Sequence, residues 1–254
     1  MAEWKKLDKQ SVGLIFISAF LLALHFASWI SSLEYTNVIS SVVLVTTTPI
    51  WVAAISPWLL KEKVPNRFLI GLVIAFLGII LLNITSFSSH LTNEYENSLN
   101  NQNAIMLGNS LALVGAVCAA GYVVIGRILR KQLSTEAYVL GIYSISGIIL
   151  AFFAILTVEN FIVANLSDLK WLLLMALIPQ VIGHSLLNWS LGVLPAHYVA
   201  ISLLGEPIGS SILAIFFLKE TPSINEVISS AVILLGIIIA ITKPKKLLKK
   251  DQSE

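Results

Sequence analysis

Charge is what this sequence most lacks. Of its 254 residues only 12% are charged, while 57% are hydrophobic and the mean hydropathy is +0.88. A soluble domain of this length could not hide so much apolar surface, which excludes that class and predicts a polytopic membrane protein. Cysteine is nearly absent too. Cys118 stands alone, so an internal disulfide and a cysteine-based metal site are excluded, and its apolar neighbourhood predicts an inert core thiol. Neither a Walker A motif nor a glycine-rich phosphate loop occurs, so ATP drive by this chain has no support. No recognised spacing joins Ser, His and Glu into a nucleophile–base pair, and no carboxylate–histidine spacing suggests a metal site. Neither an enzyme nor a cofactor is therefore expected. A signal peptide is not expected either: residues 1–10 are polar, and the apolar run after them is too long for a signal h-region.

What is present is long apolar runs. Eight are long enough to cross a hydrocarbon core: 11–33, 37–60, 67–86, 104–126, 136–157, 170–190, 196–218 and 223–242. They are continuous and not alternating, which predicts helices and argues against a barrel. The predicted fold class is all-α, a polytopic transmembrane helical bundle. Basic residues set its expected orientation. With the N-terminus inside, Lys5, Lys6, Lys9, Lys61, Lys63, Arg67, Arg127, Arg130, Lys131, Lys243, Lys245, Lys246, Lys249 and Lys250 lie inside, against only Lys170 and Lys219 outside. Both termini are thus expected to be cytoplasmic. The stretch 87–103 is polar, contains no Lys or Arg, and fits an outward-facing linker. The tail 243–254 is a basic cluster suited to anionic lipid, not to nucleic acid.

The chain also repeats itself. Ser32–Ile80 aligns without a gap on Ser190–Ile238, with 12 of 49 positions identical. The anchors are Pro49-Ile50, Leu60-Lys61-Glu62 and Leu77-Gly78-Ile79-Ile80. The charge count sets Lys61-Glu62 at the inner face and Lys219-Glu220 at the outer face, so the repeat is inverted, a hallmark of secondary transporters.

Several motifs carry a resemblance. The second half has Asn188-Trp-Ser-Leu-Gly-Val-Leu-Pro-Ala-His-Tyr-Val-Ala, then Leu204-Gly-Glu-Pro-Ile-Gly and Phe217-Leu-Lys-Glu-Thr-Pro. The first half has Leu24-His-Phe-Ala-Ser-Trp, Thr48-Pro-Ile-Trp and Leu60-Lys-Glu. In order and spacing these resemble the EamA family of the drug/metabolite transporter superfamily, over about residues 11–242. The resemblance implies two inverted five-helix repeats. This chain departs from that pattern, because its first span resembles the family's third helix. The expected organisation is a partial first repeat at 11–86, the linker, a full second repeat at 104–242 and the basic tail. An N-terminal fragment loss and a genuine eight-helix form are the two accounts considered.

Candidate functional residues are the polar and ionisable groups inside spans. Glu206 in the seventh span reads either as a proton-coupling or cation-binding carboxylate or as a neutral partner of a neighbouring helix. Pro49 and Pro207 occupy equivalent repeat positions and predict helix kinks that free the carbonyls of Val45 and Leu203. His184 and Asn188 share a helix face, with Trp189 beside them, and His25 and Trp29 share another. These residues and Tyr143 are cavity candidates, against the alternative of ordinary interhelical hydrogen bonds. Gly115, Gly121 and Gly126 predict close helix packing. The expected function is a secondary transporter, exporting small metabolites such as amino acids or drug-like compounds across the plasma membrane. The alternative is a non-transporting fragment, or a subunit completed by another chain. Expected partners are a small-molecule substrate and the lipid bilayer, with a homodimer left open as an assembly.

Overall fold

A computed structural model describes the chain apart from residues 1–2, 5–6, 37, 91–101, 158–165, 219–223 and 243–254. Most of the expected linker, the Lys219-Glu220 pair and the basic tail lie outside the described residues. Among the described residues every regular element is helical. They are α1 (Lys9–Tyr35), α2 (Val38–Val45), α3 (Thr48–Leu59), α4 (Asn66–His90), α5 (Gln102–Leu129), α6 (Thr135–Thr157) and α7 (Leu166–Met175). A π-helical segment, Ala176–His184, then runs into α8 (Ser185–Val193). After it come α9 (Ala196–Ser202), a 3₁₀ turn Leu203–Gly205, α10 (Glu206–Leu218) and α11 (Ile224–Ile241).

Among the described residues five stretches are long and apolar enough to cross a membrane: Lys9–Tyr35, Ser40–Leu59, Asn103–Leu129, Thr135–Leu156 and Leu169–Val193. Asn66–Leu81, Ala196–Gly205 and Val227–Ile241 are shorter apolar helices. Together they correspond to the eight spans expected from the sequence. Burial is arranged as lipid demands. Phe16, Phe20, Ile148, Phe152 and Phe216 are exposed, while Ser18, Ser28, Ser32, Ser41, Thr48 and Asn188 are buried. In a water-soluble domain the preference runs the other way.

Helix ends follow local chemistry. Asp8 caps α1 by accepting the Ser11 N–H at 2.9 Å. The Ser11 hydroxyl, then its N–H, hold the Asp8 carboxyl below the usual aspartate range. The depressed value makes the cap a contribution present above the unfolded-state pKa and lost as pH falls through the folded one. α3 ends where Lys61 enters the left-handed region at φ 56°, and the Glu62 N–H returns to the Ser56 carbonyl at 3.4 Å.

The chain divides into two compact units. The first comprises 1–62 and 103–199. Within it α1 runs antiparallel to α5. A Cβ on Gly108 would crowd Thr36, one on Gly115 would press on Ser28 and Trp29, and one on Gly121 would meet Leu21. α6 lies along α1 in the same direction, with Ser18 bonded to the Tyr138 hydroxyl at 3.1 Å and Ser146 donating to the Ala19 carbonyl at 2.8 Å.

The second unit comprises 63–102 and 200–254 and is built on α4 against α11. A Cβ on Gly71 would strike the Gly236 carbonyl and Ala240, and one on Gly78 would strike Ile233 and come within 3.1 Å of the Ser229 carbonyl. The repeat offset carries Gly71 to Ser229 and Gly78 to Gly236. It therefore turns the Gly71–Gly236 contact into Ser229–Gly78, which is also a contact. This antiparallel pair is the sequence repeat expressed as packing. Lipid supplies no hydrophobic drive between helices, so such close backbone approach and its dispersion contacts do the holding.

Candidate functional site

The first unit gathers most of the candidate residues. Asn188 is fully buried. Its side-chain oxygen accepts the Tyr122 hydroxyl at 2.7 Å and its amide donates to Tyr143 at 3.2 Å. Tyr143 in turn reaches the Gln180 carbonyl at 3.5 Å. Asn188 thus bridges α5, α6 and α8, and Tyr143 touches the segment carrying Gln180 and Asn188 at both of these positions. Cross-helix hydrogen bonds in membranes average only about 0.6 kcal/mol each. The stability they add is small, so the network's consequence is geometric: it fixes one polar patch inside an apolar bundle.

A second cluster adjoins it in sequence. His25 Nδ1 bonds the Gly115 carbonyl at 2.9 Å. Its ring stacks on Trp29 at 5.9 Å and touches Phe26 at 5.0 Å, and Phe26 meets His184 at 5.5 Å. The structure thus brings His25, Trp29 and His184 into one aromatic group. Two polar atoms in it, Trp29 Nε1 and His184 Nδ1, are buried with no hydrogen-bond partner among the described residues. A buried unsatisfied donor or acceptor costs about 1–3 kcal/mol, so each calls for a reason.

The π-helical segment places His184. Pro179 lies inside it and has no N–H to return to the preceding turn. The wider i→i+5 winding accommodates that loss and is frequent at functional sites. The sequence reading did not single out Pro179, although a proline within an apolar run was the available signal. Tyr122 and Tyr138 were missed as well, because aromatic residues in a span read first as packing.

Other candidates stand elsewhere. Trp189 is 57% exposed and makes no part of the Asn188 network. Pro49 is buried in the first turn of α3, just after α2 has ended. The Val45 carbonyl that it leaves open accepts the Thr48 hydroxyl at 2.8 Å, and Thr46 and Thr47 close the Val43 and Leu44 carbonyls in the same way. Pro207 is the second residue of α10, after the 3₁₀ turn, and the Leu203 carbonyl accepts the Glu206 N–H. Each proline therefore sits where a discontinuous helix restarts. Glu206 is exposed, in the second unit, as the first residue of α10. Among the described residues no group of three or more His, Cys, Asp or Glu could hold a metal ion.

One ionic cluster closes the first unit. Glu62 pairs with Arg127 at 2.9 Å, with the two side chains 15% and 13% exposed. Its other oxygen accepts the Ala196 N–H at 3.1 Å, and Arg127 donates to the Leu191 carbonyl at 2.8 Å. Arg130 donates to the Asn188 carbonyl at 3.0 Å and to the Thr135 hydroxyl at 2.7 Å. Charge counting treated these arginines as topology signals, and a pair 65 positions apart leaves no local pattern to find.

Two proteins of Bacillus subtilis (strain 168) are similar to the chain: the uncharacterized transporter YetK, 24% identical over 94% of this chain and 71% of its own length, and the uncharacterized transporter YyaM, 25% identical over 98% and 79%. An uncharacterized transporter of Archaeoglobus fulgidus is 24% identical over 95% and 80%. One crystal structure superposes on 92% of this chain and 76% of its own with a TM-score of 0.70 at 19% identity, a likeness of fold alone. The EamA-like transporter family matches residues 1–84 and 106–242. With eight apolar helical segments, a sequence repeat expressed in helix packing and a family match along nearly its whole length, the chain belongs to the EamA-like transporter family, in the drug/metabolite transporter superfamily, and is a multi-pass membrane transporter.

Proposed function

We propose that the chain is a secondary transporter that moves small polar or amphiphilic metabolites, such as amino acids or drug-like compounds, outward across the plasma membrane, with both termini cytoplasmic. The observation that carries this reading is the pairing of Trp29 Nε1 and His184 Nδ1, unsatisfied in an aromatic cluster, with the buried Asn188–Tyr122–Tyr143 network. Aromatic faces suit an apolar or cationic part of a ligand. The indole N–H suits an acceptor such as a carboxylate oxygen. Two helices interrupted at matching repeat positions support the reading further, since discontinuous helices are where transporters place substrate and coupling groups. Energy comes from the substrate gradient or from protons, with Glu206 as the coupling carboxyl.

The test is flux by the purified chain in liposomes, using a mixture of radiolabelled amino acids and, separately, ethidium. Saturable flux of either probe above protein-free liposomes, lost in His184→Ala, is the expected result. Flux no greater than in protein-free liposomes for both probes contradicts the reading. A second reading, a subunit completed by further membrane helices, is favoured by Leu169–Val193: only 6% of its most apolar window is buried, against 56% for Asn103–Leu129. Under that reading, flux requires co-reconstitution with another chain.

A further inference from the structure

We infer that Glu62, Arg127 and Arg130 form a positioning latch that holds the α8–α9 turn, and with it the backbone of Asn188, and that opening the Glu62–Arg127 pair is a step of the transport cycle. The inference rests on the transport reading above. Nothing in that reading requires the cluster.

The backbone around the turn makes the case. A helix end leaves carbonyls without partners, and a helix start leaves N–H groups without partners. At this turn, Leu194 N–H returns to the Ser190 carbonyl at 2.8 Å, and Tyr198 N–H returns to the Pro195 carbonyl at 3.1 Å. Pro195 has no N–H to give. The Leu191 carbonyl and the Ala196 N–H are instead met by Arg127 and Glu62, and Arg130 adds a bond to the Asn188 carbonyl further back in α8. The guanidinium groups sit toward the negative end of α8, the favourable placement for their charge. All three side chains come from outside the turn, at the ends of α3 and α5. The turn is thus closed by groups that can let go of it as a set.

The latch is also tied to the polar patch. Arg130 holds the Asn188 carbonyl while Tyr122 and Tyr143 hold its side chain. A shift of the turn therefore moves the residue on which the network converges. Gly192 fits this arrangement, since a Cβ there would come within 2.9 Å of the Arg130 guanidinium. Just past the end of α3, the left-handed Lys61 turns the chain ahead of Glu62. A non-glycine residue in that region is uncommon and is held only when its surroundings fix it.

The experiment uses Ala196→Cys, at a fully buried position in the turn, in a Cys118→Ala background. Maleimide labelling in detergent reads how often the turn opens. Glu62→Gln and Arg127→Gln should each label roughly tenfold faster than the parent, equivalent to about 1.4 kcal/mol. The double variant should label no faster than either single one, because partners in one contact are not additive. Glu62→Asp should keep most of the protection. In liposomes the single variants should change maximal flux with KM within about twofold, whereas general unfolding would also lower the melting temperature sharply. Parent-like labelling in both Gln variants overturns the latch, as does a double variant whose rate is the product of the two. Should Glu62→Gln fail to fold, Arg127→Gln and Arg130→Gln provide the same reading. Absence of flux in the parent would sink the transport reading and leave the labelling result standing. Unchanged labelling with normal parental flux would sink the latch alone.

Discussion

The two helix breaks occupy equivalent positions in the repeat and are closed by different chemistry. In the first, Thr46, Thr47 and Thr48 donate their hydroxyls to the carbonyls three residues back, and α3 restarts with Pro49 in its first turn. The matching positions in the second are Leu204, Gly205 and Glu206. There a 3₁₀ turn takes up the slack and the Glu206 backbone N–H closes the Leu203 carbonyl. The proline and the interruption are shared. The difference is that the first break is closed by neutral hydroxyls, while the second is closed by the backbone N–H of a residue that carries a carboxyl, Glu206, at the repeat position of Thr48. On the transport reading proposed above, coupling is assigned to Glu206 at the second break, while Thr46, Thr47 and Thr48 serve closure at the first.

That contrast is broken most directly at Glu206. Glu206→Gln should abolish the pH dependence of flux, because the amide neither binds nor releases a proton in the accessible range, while Thr48→Val should leave the pH profile unaltered. An unchanged profile in Glu206→Gln removes the distinction between the breaks. Next in size is Asn188→Leu, which should lower flux at least ~10-fold while the network's loss costs only about 1–2 kcal/mol of stability, as expected of cross-helix bonds in lipid. A large fall in melting temperature with proportionate loss of flux would instead make Asn188 structural. Thr48→Val sharpens the comparison from the other side. It removes one back-bonding hydroxyl and should cost about 1 kcal/mol, read from thermal melting in detergent. The smallest effect is expected at Trp189→Ala, where the exposed ring leaves the Asn188 network untouched. Flux within about twofold of the parent is the expected result, and a larger loss would return Trp189 to the site.

Much of this was legible from the residues. Apolar run length marked all eight spans, because a hydrocarbon core imposes a minimum length on any helix that crosses it. Proline marked both breaks, since its missing N–H acts locally. The paired Pro49 and Pro207 did not reveal how each break is closed, because Thr46, Thr47 and Thr48 read as ordinary span residues until the carbonyls they face are known. Contacts between distant helices were illegible for a different reason. His25 meeting the Gly115 carbonyl, Tyr122 meeting Asn188 and Arg127 meeting Glu62 depend on helix order and rotation, which periodicity in an almost wholly apolar sequence leaves undetermined. Trp189 shows the cost: sequence adjacency to Asn188 put it in the candidate set, and helix rotation puts it on the exposed side.

On the proposed transport reading, Glu206 at the second break couples flux to protons while Thr48 at the first only closes the helix. The most direct measurement is flux of radiolabelled amino acids, or of ethidium, in liposomes with an imposed pH gradient, compared between the parent, Glu206→Gln and Thr48→Val. The account predicts gradient-driven flux in the parent and in Thr48→Val, and flux indifferent to the gradient in Glu206→Gln. Gradient-driven flux that survives in Glu206→Gln, or is lost equally in both variants, would contradict it.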